Sequence, residues 1–262
     1  MEDVQNYSDY RGIPINRVGL SGLRLPIVIS DKKCEQKTVA RLTMHASLSH
    51  QLKGTHLSRF IEVVQAHCNQ INRQSLSAML GKLRERLGAE SAYIELSFPF
   101  FLERVAPVTK AISLVDYECS LTGKVSGEQV LFTLGVRVPV TSVCPCSKAI
   151  SDRGAHNQRS YITIQIREND KQGGEAGTLG FEDLIEIAEL SASAPVFTLL
   201  KRPDERHVTM QAFDNPMFVE DMVRNVATRL QSDIHILWFR VHAVSQESIH
   251  NHDVFAEVEW SR

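Results

Sequence analysis

The chain alternates between stretches of period two and stretches of helical period. RLPIVIS and TVARLTMHASLS are rich in Val, Ile and Thr and are bounded by turn residues, which predicts two strands. LSRFIEVVQAHCNQ places Leu57, Phe60, Ile61, Val64 and Cys68 at helical spacing. RQSLSAMLGKLRERLG does the same with Leu76, Met79, Leu80, Leu83 and Leu87, and Gly88 follows as a C-cap. AYIELSFPFFLERV and ISLVDYECSLTGKV return to strand character. The order then recurs. EQVLFTLGVRVPVTSV and SYITIQIRE read as strands, and GFEDLIEIAELSAS as a helix. NPMFVEDMVRNVATRLQS reads as a second helix with Pro216 near its first turn, and HILWFRVHAVSQESI and DVFAEVEWS as closing strands.

The pattern is therefore ββααββ, twice. Runs of strands with paired helices between them imply an α+β fold of antiparallel sheets with helices on one face. The expected organisation is an N-terminal arm over residues 1–30, a first module over 31–127 and a second over 128–262. Four-stranded sheets leave edges to hide, and joining sheets between subunits hides them, so the pattern also predicts an oligomer.

Composition narrows the function classes. With 262 residues, 43% hydrophobic and 23% charged, the chain is an ordinary globular one. A net charge of −2 gives no basic bias toward nucleic acid. The start, MEDVQNYSDYRG, has no basic or apolar region of a signal peptide, and no apolar run approaches the ~20 residues that span a bilayer. A cytoplasmic protein without membrane partners is expected. Five cysteines, an odd number, do not suggest a disulfide framework. Cys34, Cys68 and Cys119 fit small core positions.

The reactive residues gather in the second half. Cys144-Pro145-Cys146 lies at a strand exit, because Pro145 disfavours helix at Cys144 and blocks a normal ladder. Lys148, Arg153, His156 and Arg159 follow. Thiolate and imidazole together suit zinc and related divalent ions, and the absence of a second cysteine pair favours an open site over a closed structural one. A turn with two incidental cysteines is the plainer reading. Lys201, Arg202, Asp204, Glu205, Arg206 and His207 form a charge cluster that reads alone as a solvated linker. Glu220 lies on an apolar helix among Met217, Phe218, Val219 and Val223, facing either the protein or water. His250-x-His252 puts both imidazoles on one face if the segment is extended; a solvent-facing pair is the alternative. The Gly-rich ENDKQGGEAGTLG reads as a surface loop. Together, Cys, His, Glu and His-x-His have the composition of a catalytic metal site with an open position.

Several segments resemble GTP cyclohydrolase I of type B, the FolE2 family. They are VPVTSVCPCSKAIS with GAHNQRS, KGTHLSRF, LLKRPDERHVT, NPMFVEDMVR and the IHNHD ending, and the resemblance runs from about Arg17 to the C-terminus. It implies a tunnelling fold of two tandem ββααββ modules and a homotetramer with active sites between subunits. It implies GTP as substrate, hydrolysed to 7,8-dihydroneopterin triphosphate and formate, with a divalent metal ion such as zinc, manganese or iron(II). Carried over by motif, Cys144 is a metal ligand and His156 acts at or near the metal and transfers protons. Glu205 and His250 or His252 complete the metal environment, and Glu220 anchors the guanine. Lys148, Arg159 and Arg202 are among the cations expected to hold the triphosphate.

Two other classes fit the same fold. One is a nitrile reductase acting on a deazapurine, with a cysteine as covalent nucleophile. The other is a non-catalytic purine- or pterin-binding module with a structural zinc.

Overall fold

The structure is a computed structural model that describes residues 3–31, 35–68, 70–169 and 179–262. The helical spacings read from the sequence produce α1 (Leu57–Gln65) and α2 (Arg73–Leu87). Asn72 caps α2: its side chain accepts from Ser75 N–H at 2.8 Å, while Asn72 N–H donates to Ser75 Oγ at 3.0 Å. Gly88 ends the helix in the left-handed region, at φ 59°. Leu76, Met79, Leu80 and Leu83 are buried, as their spacing predicts.

Preceding and following these helices are β1 (Ile15–Ser30), β2 (Glu35–Leu48), β3 (Ser91–Val105) and β4 (Ile112–Ser126). Next come β5 (Gln129–Val143), the short α3 (Pro145–Ile150), β6 (Asn157–Glu168), α4 (Phe181–Glu189) and the two-residue β7 (Ala194–Pro195). The chain closes with α5 (Arg202–Asp214), α6 (Val219–Gln231), β8 (Ile236–Ser245) and β9 (Val254–Ser261). Among the described residues, no helix is long and apolar enough to cross a membrane.

The chain divides into two compact units. The first holds the described residues up to 99 together with 120–133. Its strands follow the order β1-β2-β3-β4, with the pairs β1–β2 and β2–β3 antiparallel. α2 packs so closely on β4 that a Cβ at Gly123 would stand 2.8 Å from Leu80 Cδ1. The second unit holds 100–119 and the described residues from 134 to the C-terminus. Its order is β4-β5-β6-β8-β9, with β7 added to β5. β3, β4 and β5 each run through both units, so the units are cut differently from the expected modules at 31–127 and 128–262. The first half follows the expected ββααββ order, and the second adds α3, β7 and α5 to it.

Two other differences have clear causes. Residues 15–30 are a strand paired with β2 and not an arm: Leu23, Leu25, Ile27 and Ile29 alternate onto the more buried face, and register shifts absorb the residues that hide the pattern earlier in the strand. Pro216 lies before the N-cap of α6, Phe218, and not in its first turn. Of the cysteines placed in the core, Cys119 is buried, Cys68 is half-buried and Cys34 lies outside the described residues. Of the Gly-rich loop expected over 168–180, Glu168 is the last residue of β6 and residues 170–178 lie outside the described ones.

Candidate active site

The second unit carries every residue singled out for chemistry. On the helix-covered face of its sheet, β5 contributes Val136, Val138 and Val140, β6 contributes Ile162, Ile164 and Ile166, and β8 contributes Phe239, Val241 and Ala243, all buried. Side chains alternate faces along each strand, so the next positions on this face are Ser142, Ser160 and Ser245. One step further are Cys144, Gln158 and Glu247.

Cys144 leaves β5 in an extended conformation and is the N-cap of α3, with Pro145 as the first helical residue. This explains the Cys-Pro-Cys turn: proline is tolerated at the first helical position and unwelcome before it. Cys144 N–H donates to His156 C=O at 3.1 Å, and Ser147 N–H donates to Cys144 Sγ at 3.4 Å. His156 N–H donates to Ser147 Oγ at 3.2 Å, which closes the α3 turn onto the start of β6. Cys146 is exposed.

The His156 ring is held by Gln158, two residues on in the GAHNQRS segment, and by Glu247, which lies outside the segments that carry the family resemblance. Gln158 Nε2 donates to Glu247 Oε1 at 3.2 Å, and Gln158 Oε1 lies 2.9 Å from His156 Nδ1. The other Glu247 oxygen is 3.8 Å from the same nitrogen. An ionised carboxylate only accepts, so Gln158 must turn its NH2 toward Glu247 and its carbonyl toward the imidazole. Nδ1 therefore carries hydrogen, and in the neutral ring Nε2 keeps its lone pair. His156 and Glu247 side chains are 12% and 9% exposed, so water competes weakly for these contacts.

α5 was hidden in the charge cluster and is a helix rather than a linker. Its organiser is Asp204, fully buried. Oδ1 accepts from Val108 N–H and Thr109 N–H at 2.9 Å each, and Oδ2 accepts from Thr109 Oγ1 at 2.5 Å and Lys201 N–H at 3.1 Å. Burial pushes the Asp204 carboxyl up, but the hydrogen bonds from Thr109, Lys201 and Val108 outweigh it and hold the group well below its usual range. Glu205 and Arg202 are exposed on the first turn that Asp204 fixes.

The remaining residues are dispersed. Glu220 begins α6 and is exposed; of the two acids there, Asp221 faces the backbone, accepting from Phe218 N–H at 3.0 Å. His250 and His252 lie in the bend between β8 and β9, not on an extended strand, and their rings stack at 5.3 Å. Lys148 Nζ donates to Phe213 C=O at 2.5 Å and sits over the Phe213 ring, tying α3 to the end of α5. Arg159 falls on the opposite face of β6 from Gln158 and Ser160. There it lines a cavity of about 390 Å³ with Asp116, Glu118, Arg137 and Tyr161. Among the described residues, no group of three His, Cys, Asp or Glu side chains converges to hold a metal within one chain. The structure thus joins Cys144 and His156 through their backbones and leaves Glu205, Glu220 and the stacked His250–His252 pair as exposed groups on separate elements.

A family model for type I GTP cyclohydrolase folE2 matches residues 1–256. The chain belongs to that family. Its relatives include the GTP cyclohydrolase FolE2 of Methylococcus capsulatus, 50% identical over 99% of this chain and 94% of the relative. That of Nitrosococcus oceani is 47% identical over 99% and 95%. Among solved structures, a uricase from Bacillus fastidious matches with a TM-score of 0.59 at 9% identity, over 94% of this chain and 92% of that one. The uricase from Arthrobacter globiformis gives 0.54 at 11% identity, over 94% and 93%. At such identity the likeness is one of fold. Urate oxidases are a tunnelling-fold family, so the α+β tunnelling fold expected from the sequence is the fold of this FolE2 member.

Proposed function

We propose that this chain hydrolyses GTP to 7,8-dihydroneopterin triphosphate and formate, the first step of tetrahydrofolate and related pterin biosynthesis. Membership of the FolE2 family over nearly the whole chain carries the reading. The geometry around His156 supports it, because an imidazole with Nδ1–H committed and Nε2 free is what a ligand or a proton carrier requires.

The donor set fits a divalent ion, zinc, manganese or iron(II): a thiolate from Cys144, an imidazole from His156, a carboxylate from Glu205, and an imidazole from His250 or His252. When bound, such an ion makes hydroxide available near neutral pH, which is what the weakly electrophilic C8 of guanine needs. The exposed positions of Glu205, His250 and His252 in one chain support a site completed between subunits, in a homotetramer. The β1 and β9 strands supply the edges for such an assembly, and Phe255 on β9 is 70% exposed. We read the protein as cytoplasmic.

Each side chain has a task in this scheme. Where Nε2 of His156 is not taken up by the ion, its lone pair accepts a proton from the attacking water and returns it to the guanine nitrogen as the ring opens, and the same exchange repeats when the formyl group is hydrolysed. Glu220 accepts from guanine N1–H and the exocyclic amine; adenine presents no such pair of donors, so the carboxylate selects guanine. Arg202, exposed beside Glu205, is the cation best placed for triphosphate. Lys148 is engaged with Phe213 and would act on phosphate only after releasing it, and Arg159 lines a separate cavity on the other face of β6.

The deciding experiment is GTP turnover by metal-stripped protein with zinc, manganese, iron(II) or no addition. Metal-dependent release of both formate and the pterin is expected. No turnover with any metal, in a folded oligomer, would overturn the reading in favour of a reductase or a binding module.

A further inference from the structure

The three strands that frame the site change character within one row of each other: β6 and β8 turn polar in the same row and β5 in the next. β5 goes from Val140 to Ser142, β6 from Ile162 to Ser160 and β8 from Ala243 to Ser245, with all three serines buried. Their hydroxyls meet: Ser142 Oγ is 2.8 Å from Ser160 Oγ, Ser160 Oγ is 2.6 Å from Ser245 Oγ, and Ser142 and Ser245 are 3.4 Å apart. Each hydroxyl can donate once and accept from another, so the ring satisfies itself without water. It also consumes every donor it has, so the serines present no free group to a ligand.

Register ties this ring to the site. Ser142 pairs with Gln158, Ser160 with Ser245, and Val143 with Asn157. Gln246 N–H donates to Arg159 C=O at 2.9 Å, which continues the β6–β8 ladder and brings Glu247 opposite Gln158. The same face therefore carries successive rows: Ser160 with Ser245, then Ser142 with Gln158 and Glu247, then Cys144 with His156. The backbone ladders set the spacing of the three strands, and the hydroxyl ring adds directional links between their side chains at and below the row of Gln158 and Glu247, which aliphatic contacts would not supply.

We infer that the Ser142–Ser160–Ser245 hydroxyl ring is a positioning element, which locks the side-chain layer adjoining Gln158 and Glu247 so that these two hold the His156 ring beside Cys144. The inference rests on the metal-site reading of Cys144 and His156, but its test does not require GTP turnover.

The test is a double-mutant cycle read by manganese(II) binding, measured by electron paramagnetic resonance on the folded oligomer well below its melting temperature. Ser160→Ala is expected to weaken manganese binding about fivefold, less than the roughly 10- to 100-fold that direct partners of a metal ligand contribute, because the serine acts through Gln158 and Glu247. In a Gln158→Leu background, where the hydrogen-bonded link to His156 is gone and only the longer Glu247 contact remains, the same change should cost less than twofold. Ser142→Ala breaks the ring while leaving the Ser160–Ser245 contact, and serves as the measurement if S160A does not fold. A loss under threefold in wild type, whether or not the melting temperature falls, overturns the inference, since a packing role lowers stability alone. An equal loss in both backgrounds also overturns it, because the ring would then act by another route. Failure of the wild type to turn over GTP, with manganese coupling intact, would count against the proposed function and support the positioning role.

Discussion

Glutamate at position 158 would put two carboxylates where the structure has an amide donating to an acid. Gln158 Nε2 and Glu247 Oε1 are 3.2 Å apart, so in Gln158→Glu two negative charges would meet at that distance. At an effective dielectric of about 20, the repulsion is about 5 kcal/mol. The pair can escape by taking up one proton, which costs about 1.4 kcal/mol for each pH unit above the ordinary carboxylate value of about 4.3. The penalty is therefore about 1.6 kcal/mol at pH 5.5 and rises to about 5 kcal/mol near pH 8, where the two routes cost the same. The unfolding entropy expected of 262 residues is about 0.55 kcal/mol/K, so the melting temperature should fall by about 3 °C at pH 5.5 and about 9 °C at pH 8. Adding Glu247→Gln reverses the polarity of the hydrogen-bonded chain without charge repulsion. The new amide at position 247 donates, the new carboxylate at position 158 accepts, and an acceptor still faces His156 Nδ1. The swapped double variant should regain most of the stability and turnover at both pH values. Differential scanning calorimetry of the single and double variants, with turnover assays alongside, makes the check. An equal loss at both pH values, or no rescue by the swap, would refute the hydrogen-bonded order proposed for Glu247, Gln158 and His156.

Cys144→Ala should abolish turnover while the oligomer remains folded, as seen by size-exclusion chromatography; an active variant contradicts its role as ligand. Glu220→Gln should weaken GTP binding at least tenfold, since one acceptor for two guanine donors becomes a donor, while metal content stays unchanged; calorimetric titration with GTP checks this. Tyr117→Phe removes a hydroxyl that donates to Glu189 at 2.6 Å and accepts from Arg104 Nε at 3.0 Å inside the second unit. A loss of about 2–3 kcal/mol is expected from urea midpoints, as for hydrogen bonds to charged groups. Asp204 has its folded pKa depressed below the reference value of 3.8, so its contribution is present above that value and is lost as pH falls through the folded one. Asp204→Asn should therefore flatten the acid limb of stability below about pH 4 and leave its slope between pH 5 and 8 unchanged, as measured by urea unfolding across that range.

The strands and the four long amphipathic helices were legible because burial imposes periods of two and 3.6 on their residues. α5 was not, for a physical reason: it buries only Asp204 and Ala212, so no apolar stripe marks it. Its start is fixed by amides from a loop some ninety-five residues away in sequence, which no local pattern reveals. Cys144 and His156 were legible from a motif, and their proximity follows from the β5–β6 ladder. Glu247 was missed although its signal was present: Val241, Ala243 and Ser245 alternate toward the core, and the next position on that face is Glu247. The adjacent His-x-His drew the reading away from it. A grouping of Glu205, Glu220, His250 and His252 was not legible, since those residues sit on separate elements, and among the described residues of one chain they do not converge.

The Asp204 clasp has a consequence for anyone sampling sequence variants of this protein. Thr109 touches no reacting group, yet its amide and hydroxyl hold the helix that carries Glu205 and Arg202. In a library scored only by activity, substitutions at Thr109 would register as catalytic hits, and a map drawn from such scores would extend the active site along a tether rather than across a surface. Scoring folded yield beside activity would separate the anchor from the chemistry it steadies.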